Sequence, residues 1–397
     1  MRLVRPVVIL GLALAAPALA QAQAKAGVDT TPPSTWRLQL NADGSWYENP
    51  YFDPTVEGVS GWSTSGYATL TRTRRFRTGN FSLSGFGGVL YYPEIDDFTQ
   101  PTYGGSFNLD WAASRRTSLT LAQSYSRSNT RALRGFQDQN QPGNLPGDLP
   151  ESLPAQDVPL PTSDYEYATT SLSFQHQLSE RWQFGLGGSF DWRRYADERL
   201  TGGEQVTGQA QLGHTLGKTS SIYLAYGYGA SWFDEGVTRS HQGLLGVRKQ
   251  VDKGVSFGLA GGVGYLESTG SFYPAGNASL SASGRRTHFT LSYARDFGQT
   301  FGYGRQTISD LAAASFSWTP ARKLSLNAGY HFEYRRDALD ETYTIQSHVV
   351  SAGFGWEIVK NLSFGGSYSW ERNETEGQPI VDGGRATASL SYGVDWR

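Results

Sequence analysis

The sequence predicts an all-β protein, a transmembrane antiparallel up-and-down β-barrel of about eighteen strands, with sixteen as the alternative count. Three observations predict it. Apolar and polar residues alternate with period 2 along most of the chain, as in Arg385 to Arg397, RATASLSYGVDWR. Short basic turns alternate with longer acidic loops between those segments. Tryptophans sit at the ends of the apolar faces, where a barrel meets the two membrane interfaces.

The bulk composition agrees. The 397 residues include 48 glycines and 13% aromatics, yet only 18% are charged, which is unlike an ordinary α/β enzyme. The net charge of −2 implies no nucleic-acid partner. The absence of cysteine excludes disulfides, thiolate metal sites, thiol catalysis and a lipoprotein anchor. No apolar run of about 18 residues follows the N-terminal leader, so no transmembrane helix is expected.

Residues 1–20 read as a signal peptide. Arg2 and Arg5 precede the apolar core Val7 to Ala16, and Ala18-Leu19-Ala20 is a cleavage site. Ala22-Gln23-Ala24 supplies a second one, which would move cleavage to 24. A periplasmic lead-in covers 21–34, and 35–397 is the barrel.

The alternating segments follow in order. The first is Trp36 to Tyr47, with Leu38 and Leu40 opposite Gln39 and Asn41. Trp62 to Thr73 and Asn80 to Tyr92 flank the turn Arg74 to Gly79. Tyr103 to Ala113 and Thr117 to Arg127 flank Ser114-Arg115-Arg116. Residues 128–164 interrupt the pattern with Pro142, Pro146, Pro150 and Pro154, a spacing that forbids strand and predicts an extended extracellular loop. Glu166 to Leu178 pairs with Arg181 to Tyr195, and Gln205 to Leu216 with Ser220 to Phe233. Ser240 to Gln250 pairs with Val255 to Leu266, and Gly276 to Ser283 with Thr287 to Arg295. Ile308 to Trp318 pairs with Lys323 to Tyr334, and Tyr343 to Ile358 with Leu362 to Glu371. The closing segment is expected to pair with the first, which removes both sheet edges. Segments one, ten, twelve and fourteen alternate least clearly, hence the lower count of sixteen.

Trp182 and Trp192 lie ten residues apart on one face. In a strand tilted by about 40° that separates them by roughly 25 Å along the membrane normal, the height of the apolar band. Trp111, Trp232, Trp318, Trp356, Trp370 and Trp396 also fall near segment ends and complete the expected girdle. Parity alone does not say which face points outward. The leader, the aromatic ends and the alternation of turns and loops favour a greasy exterior and a wet interior. The expected lumen charges are Arg37, Asp110, Asp191, Arg193, Arg248, His331, Glu333, Glu371, Arg385 and Asp395, whose mixed signs predict no strong ion selectivity. Aromatics on that face are few, with Tyr223 a candidate.

No catalytic set stands out, and neither metal nor cofactor is expected. His331 and Glu333, with Asp337 or Asp340, are the nearest approach to an acid/base pair, and no nucleophile motif accompanies them. The loops concentrate acid, including Glu94, Asp96, Asp97, Asp337, Asp340, Glu374 and Glu376, which would suit divalent cations shared with lipid phosphates or simply solvated loops. Arg131 to Thr162 is the one segment expected to be long enough to fold in and constrict the lumen, or else to stand outside as a stiff arm.

The closing strand, with Trp396 at its foot and Arg397 beyond, resembles the terminal strand of Gram-negative outer-membrane barrels. That resemblance implies outer-membrane lipid, lipopolysaccharide and the barrel assembly machinery as partners. The stretches SFNLDWAASRRTSLTLAQSYSRSNTR and SFSWTPARKLSLNAGYHFEYRRD resemble porin-type barrels associated with exopolysaccharide loci. The resemblance implies a channel for small hydrophilic solutes or polysaccharide. A non-conducting scaffold or surface interaction platform is the alternative, and a barrel hydrolase the third reading.

Overall fold

The computed structural model describes residues 34–48, 60–93, 98–129, 164–198, 200–233, 236–300, 305–338, 343–377 and 379–396. The leader, nearly all of the lead-in, residues 130–163 of the Pro-rich loop, and Arg397 therefore lie outside the described residues.

The chain forms eighteen strands. They are β1 (Thr35–Glu48), β2 (Ser60–Phe76), β3 (Gly79–Tyr92), β4 (Phe98–Ser114), β5 (Thr117–Asn129) and β6 (Asp164–Gln177). There follow β7 (Trp182–Tyr195), β8 (Gly203–Thr215), β9 (Ser220–Phe233), β10 (Gly236–Asp252), β11 (Val255–Leu266) and β12 (Ser271–Ser283). The last are β13 (Thr287–Thr300), β14 (Arg305–Ala321), β15 (Leu324–Asp337), β16 (Thr344–Val359), β17 (Leu362–Thr375) and β18 (Val381–Trp396). Each pairs antiparallel with its sequence neighbours. β1 pairs with both β2 and β18, from Trp36 opposite Trp396 to Tyr47 opposite Arg385, so the sheet closes. The count is eighteen rather than sixteen because the four weakly alternating segments are wall strands whose ladders need no greasy face at every position.

The even count leaves both ends of the sheet at the turn end of the barrel. Register shifts between Ala112 and Ser114, Gln250 and Asp252, Trp318 and Ala321, and Glu357 and Val359 all occur at these turns, where a bulge lets a strand reverse quickly. Asn361 has φ of 75°, a left-handed conformation that asparagine tolerates. At the opposite, loop end, two connections are shorter than expected. β10 starts at Gly236 rather than near Ser240, and only 267–270 separate β11 from β12.

The large apolar side chains of alternating positions point outward. Leu224 is 60% exposed, Leu245 65% and Leu259 56%. Such a band, continued by Leu83, Leu172, Val350 and Leu390, is intolerable to water and natural to lipid. The inward positions carry Ser, Thr, Gln, Asn and Gly. A strand needs about 9–11 residues to cross a bilayer. These strands run from 12 residues in β11 to 17 in β2, so several outrun the apolar band.

The excess matters most at β13 and β14. β12 and β13 pair only from Gly276 opposite Arg295 to Ser283 opposite His288. β12 continues to Ser271 beside β11, and β13 continues to Thr300 beside β14. Pro274, with no N–H to offer a ladder, sits two residues beyond the last β12–β13 pair. The β13–β14 hairpin leaves the wall there and leans into the barrel. Phe297 packs against the inward cluster of Tyr223, Leu244, Ala260 and Ala275, and Ile308 against Leu266 and Ala338. Among the described residues the element that enters the lumen is thus this hairpin, and the expected constriction by Arg131 to Thr162 lies outside the described residues.

Candidate functional site: the lumen

Ladder register brings distant segments into continuous inward rows. Asp110 lies opposite Thr120, Thr120 opposite Ser173, and Ser173 opposite Gly187. The row continues through Gln209, Gly227 and Gln242 to Gly264. Because barrel strands are tilted, a row perpendicular to them climbs the wall as it passes from strand to strand. This one starts near the turn end of β4 and reaches the loop end of β11, where the hairpin closes it. The backbone explains the meeting of row and hairpin. A Cβ on Gly264 would lie 1.9 Å from Phe297 Cε2, so only glycine admits the ring. The ring centroids of Tyr273 and Phe297 are 5.8 Å apart. Ser268 Oγ donates to Gln306 Oε1 at 2.5 Å, and Ala338 N donates to Gln306 O at 2.9 Å, so the hairpin is tied on both flanks.

Between the hairpin and the wall lies a cavity of about 810 Å³. One side is the inward face of β4 to β10, with Thr120, Ser173, Ser189, Thr207, Gln209 and Gln242. The other side is Asp296, Phe297 and Gln306. Among the described residues, charge reaches the cavity through Arg77 near the turn end, Asp110 and Asp296. Thr120 Oγ1 donates to Asp110 Oδ1 at 3.0 Å. Asn108 also lines it, and its Oδ1 is shielded from water without a hydrogen-bond partner among the described residues.

All ten expected lumen residues occupy inward positions of their strands, but they do different work. Arg37 and Asp395 meet at the turn end, 3.8 Å apart, with side chains 59% and 68% exposed, a pair too wet to contribute much. Asp191 accepts hydrogen bonds from Tyr167 at 2.9 Å and Ser189 at 3.0 Å. Arg193, Arg248 and Arg385 lie over the rings of Tyr167, Tyr223 and Tyr47, at 5.0, 4.4 and 5.1 Å from the centroids. Each guanidinium is flattened against the wall by a tyrosine of the neighbouring strand. Tyr223 in turn lies on Gly246, where a Cβ would be 2.3 Å from its Cζ. Inward tyrosines are therefore more numerous than the sequence reading found. Tyr47, Tyr67 and Tyr167 join Tyr223, and counting parity outward from Gln39, Ser65 and Ser171 would have located them.

At the loop end Glu333 is bound by Arg335, and each residue is only 3% exposed. Glu371 accepts from Asn373 Nδ2 at 2.7 Å. His331 Nε2 is shielded with no hydrogen-bond partner among the described residues. Glu333 thus answers to a guanidinium. Asp340, Glu341 and residues 94–97 of the expected acidic rim lie outside the described residues. Among the described residues no three His, Cys, Asp or Glu side chains gather as metal ligands.

All eight girdle tryptophans occupy outward positions. Trp111, Trp182, Trp318, Trp356 and Trp396 mark the turn end, and Trp192, Trp232 and Trp370 the loop end. Trp46 opposite Trp62 adds a loop-end pair that the sequence reading left out. Beyond the girdle, in the β11–β12 turn, Glu267 is met by His241 Nε2 at 3.1 Å and Arg239 Nη1 at 3.3 Å. The hydrogen bond to His241, then that to Arg239, holds its carboxyl below the usual carboxylate range.

No protein-family model and no curated protein matches the chain. Among solved structures, OpdQ of Pseudomonas aeruginosa matches with a TM-score of 0.50 and 10% identity, over 92% of this chain and 98% of that one. OccAB4 of Acinetobacter baumannii matches with 0.49 and 9% identity, over 93% and 100%. OprD of Pseudomonas aeruginosa matches with 0.47 and 12% identity, over 95% and 98%. At such identity it is the fold that is shared. Closed ladder, apolar exterior, polar interior and the fold shared with OpdQ together make this chain an eighteen-stranded antiparallel β-barrel whose outer face suits lipid.

Proposed function

We propose that the barrel is a channel that passes small hydrophilic solutes. The observation that carries the reading is the cavity itself, walled by the hydroxyl and amide side chains of seven consecutive strands and flanked by a hairpin rather than filled by a core. The hairpin favours small solutes over a polysaccharide chain, which would have to thread past Phe297. No catalysis is assigned, since Glu333 is committed to Arg335. Single-channel recording of the refolded protein in planar bilayers tests the proposal. Stepwise opening currents are expected. Steady silence, in the protein as it stands and with the hairpin shortened, would refute it.

The alternative is a closed barrel that serves as scaffold or surface platform. It draws on the loop end, where inward residues such as Ser45 and Ser63 are only 2% exposed. The same recording separates the two.

A further inference from the structure

We propose that the cavity between the hairpin and the β4–β10 wall is a binding station for an uncharged, polyhydroxylated solute, a sugar or polyol of one to three rings. The inference rests on the channel reading and names its solute class. Size fits first. About 810 Å³ lies within the roughly 300–1,000 Å³ of small-molecule sites.

Chemistry decides the class. The wall offers hydroxyls and primary amides, groups that both donate and accept, as a sugar hydroxyl does. Gln209 and Gln242 stand on the climbing row and Thr207 on the next one outward. Asn108 Oδ1 faces the cavity shielded and without a partner among the described residues, an acceptor that a solute O–H would satisfy. Phe297 faces these groups from the opposite side, an apolar surface for the C–H face of a ring. Among the described residues the charge census weighs against an anion. Of the three arginines stacked on tyrosines none lines the cavity, Arg77 stands near its turn end, and its two carboxylates, Asp110 and Asp296, oppose an anion. Asp110 keeps its charge while it accepts from Thr120, so a cation is the competing class that the test has to separate.

The test is current block in planar bilayers by raffinose, with glutamate and arginine as charged comparators. Raffinose is expected to interrupt the open current at millimolar concentration, and glutamate not to. Gln209→Met with Gln242→Met, and separately Asn108→Ala, are expected to weaken the block at least several-fold, each scaled to its own open current. Block by glutamate or arginine without block by raffinose would overturn the solute class, and open channels that none of the three interrupts would overturn the station. If no current flows at all, the channel reading fails on its own. Equilibrium dialysis of labelled raffinose against the micellar protein then decides the station. Retention lost in the Gln209→Met, Gln242→Met variant upholds it, and no retention overturns it.

Discussion

Two stretches of wall, β5 to β8 and β9 to β12, are built from the same alternating strands and turn opposite surfaces to the lumen. The first presents Ser171, Ser189, Thr207 and Gln209 and stays wet. The second presents Tyr223, Leu244, Ala260 and Ala275 and is covered by Phe297 of the β13–β14 hairpin. Outward they are alike, both greasy. The difference teaches that a barrel's inward face is not uniformly solvent-lined. A few apolar substitutions at inward parity create a dock, and the next hairpin leaves its ladder to cover it, burying apolar surface that water would otherwise wet.

The largest test of this contrast is to remove the cover. Replacing Phe297 to Ile308 by an Asn-Gly turn between Asp296 and Ser309 should raise single-channel conductance by roughly two-fold or more, as expected when a constriction is cut from a wide barrel. Unchanged conductance would mean that the hairpin does not set the narrowest point. Next in size is a pair of glycine substitutions with opposite expected signs. Gly264→Val meets the Phe297 ring at 1.9 Å and should push the hairpin off its dock, increasing conductance. Gly187→Val on the wet wall meets only the flexible Gln209 side chain, at 2.9 Å, and should narrow the passage slightly. Equal signs for the two would erase the distinction between the walls.

A smaller effect concerns closure. Trp396, opposite Trp36 at the seam, is 42% exposed on the outer face. Trp396→Ala should reduce the heat-modifiable folded band in membranes, whereas deletion of Arg397 should leave it intact. An equal loss in both would argue against the terminal aromatic as the assembly signal. Smallest is the pH response of the β11–β12 turn, which borders the dock. The Glu267 carboxyl titrates below its ordinary 4.5, held there first by His241. A lowered carboxylate pKa contributes stability that is full above the unfolded value and is lost as pH falls through the folded one. Proton exchange in this turn should therefore stay slow at mildly acid pH and quicken only below the ordinary carboxylate range. Quickening near pH 6 instead would assign control to another group.

Much of the fold was readable in the sequence because period 2 in a closed sheet leaves few options. Trp36 to Tyr47 and Arg385 to Trp396 were legible as partners since a barrel must join its ends. The inward charges were legible by parity, because one residue's slip would flip every side chain of a strand. The hairpin was not legible in the same way. Arg295 ends the last clean alternation of β13, and the stretch after it was read as loop because Asp296, Gly298, Gln299 and Thr300 leave it no apolar face of period 2. A local signal was there nonetheless: Leu244, Leu266 and Tyr273 are large apolar residues whose ladder partners are small, Ala225 and Gly262, Ser240 and Ser271, and Gly264.

By itself, then, the sequence determined an antiparallel barrel of about eighteen strands and which residues share a face of each strand, because alternation and turn spacing are local properties of the chain. Tertiary structure alone decided which inward residues meet solvent. That depends on contacts such as Phe297 on Gly264, between strands that are not neighbours in the sheet. It also decided that arginines scattered along the chain lie flat on tyrosines, because a cross-strand neighbour is set by register and not by sequence distance.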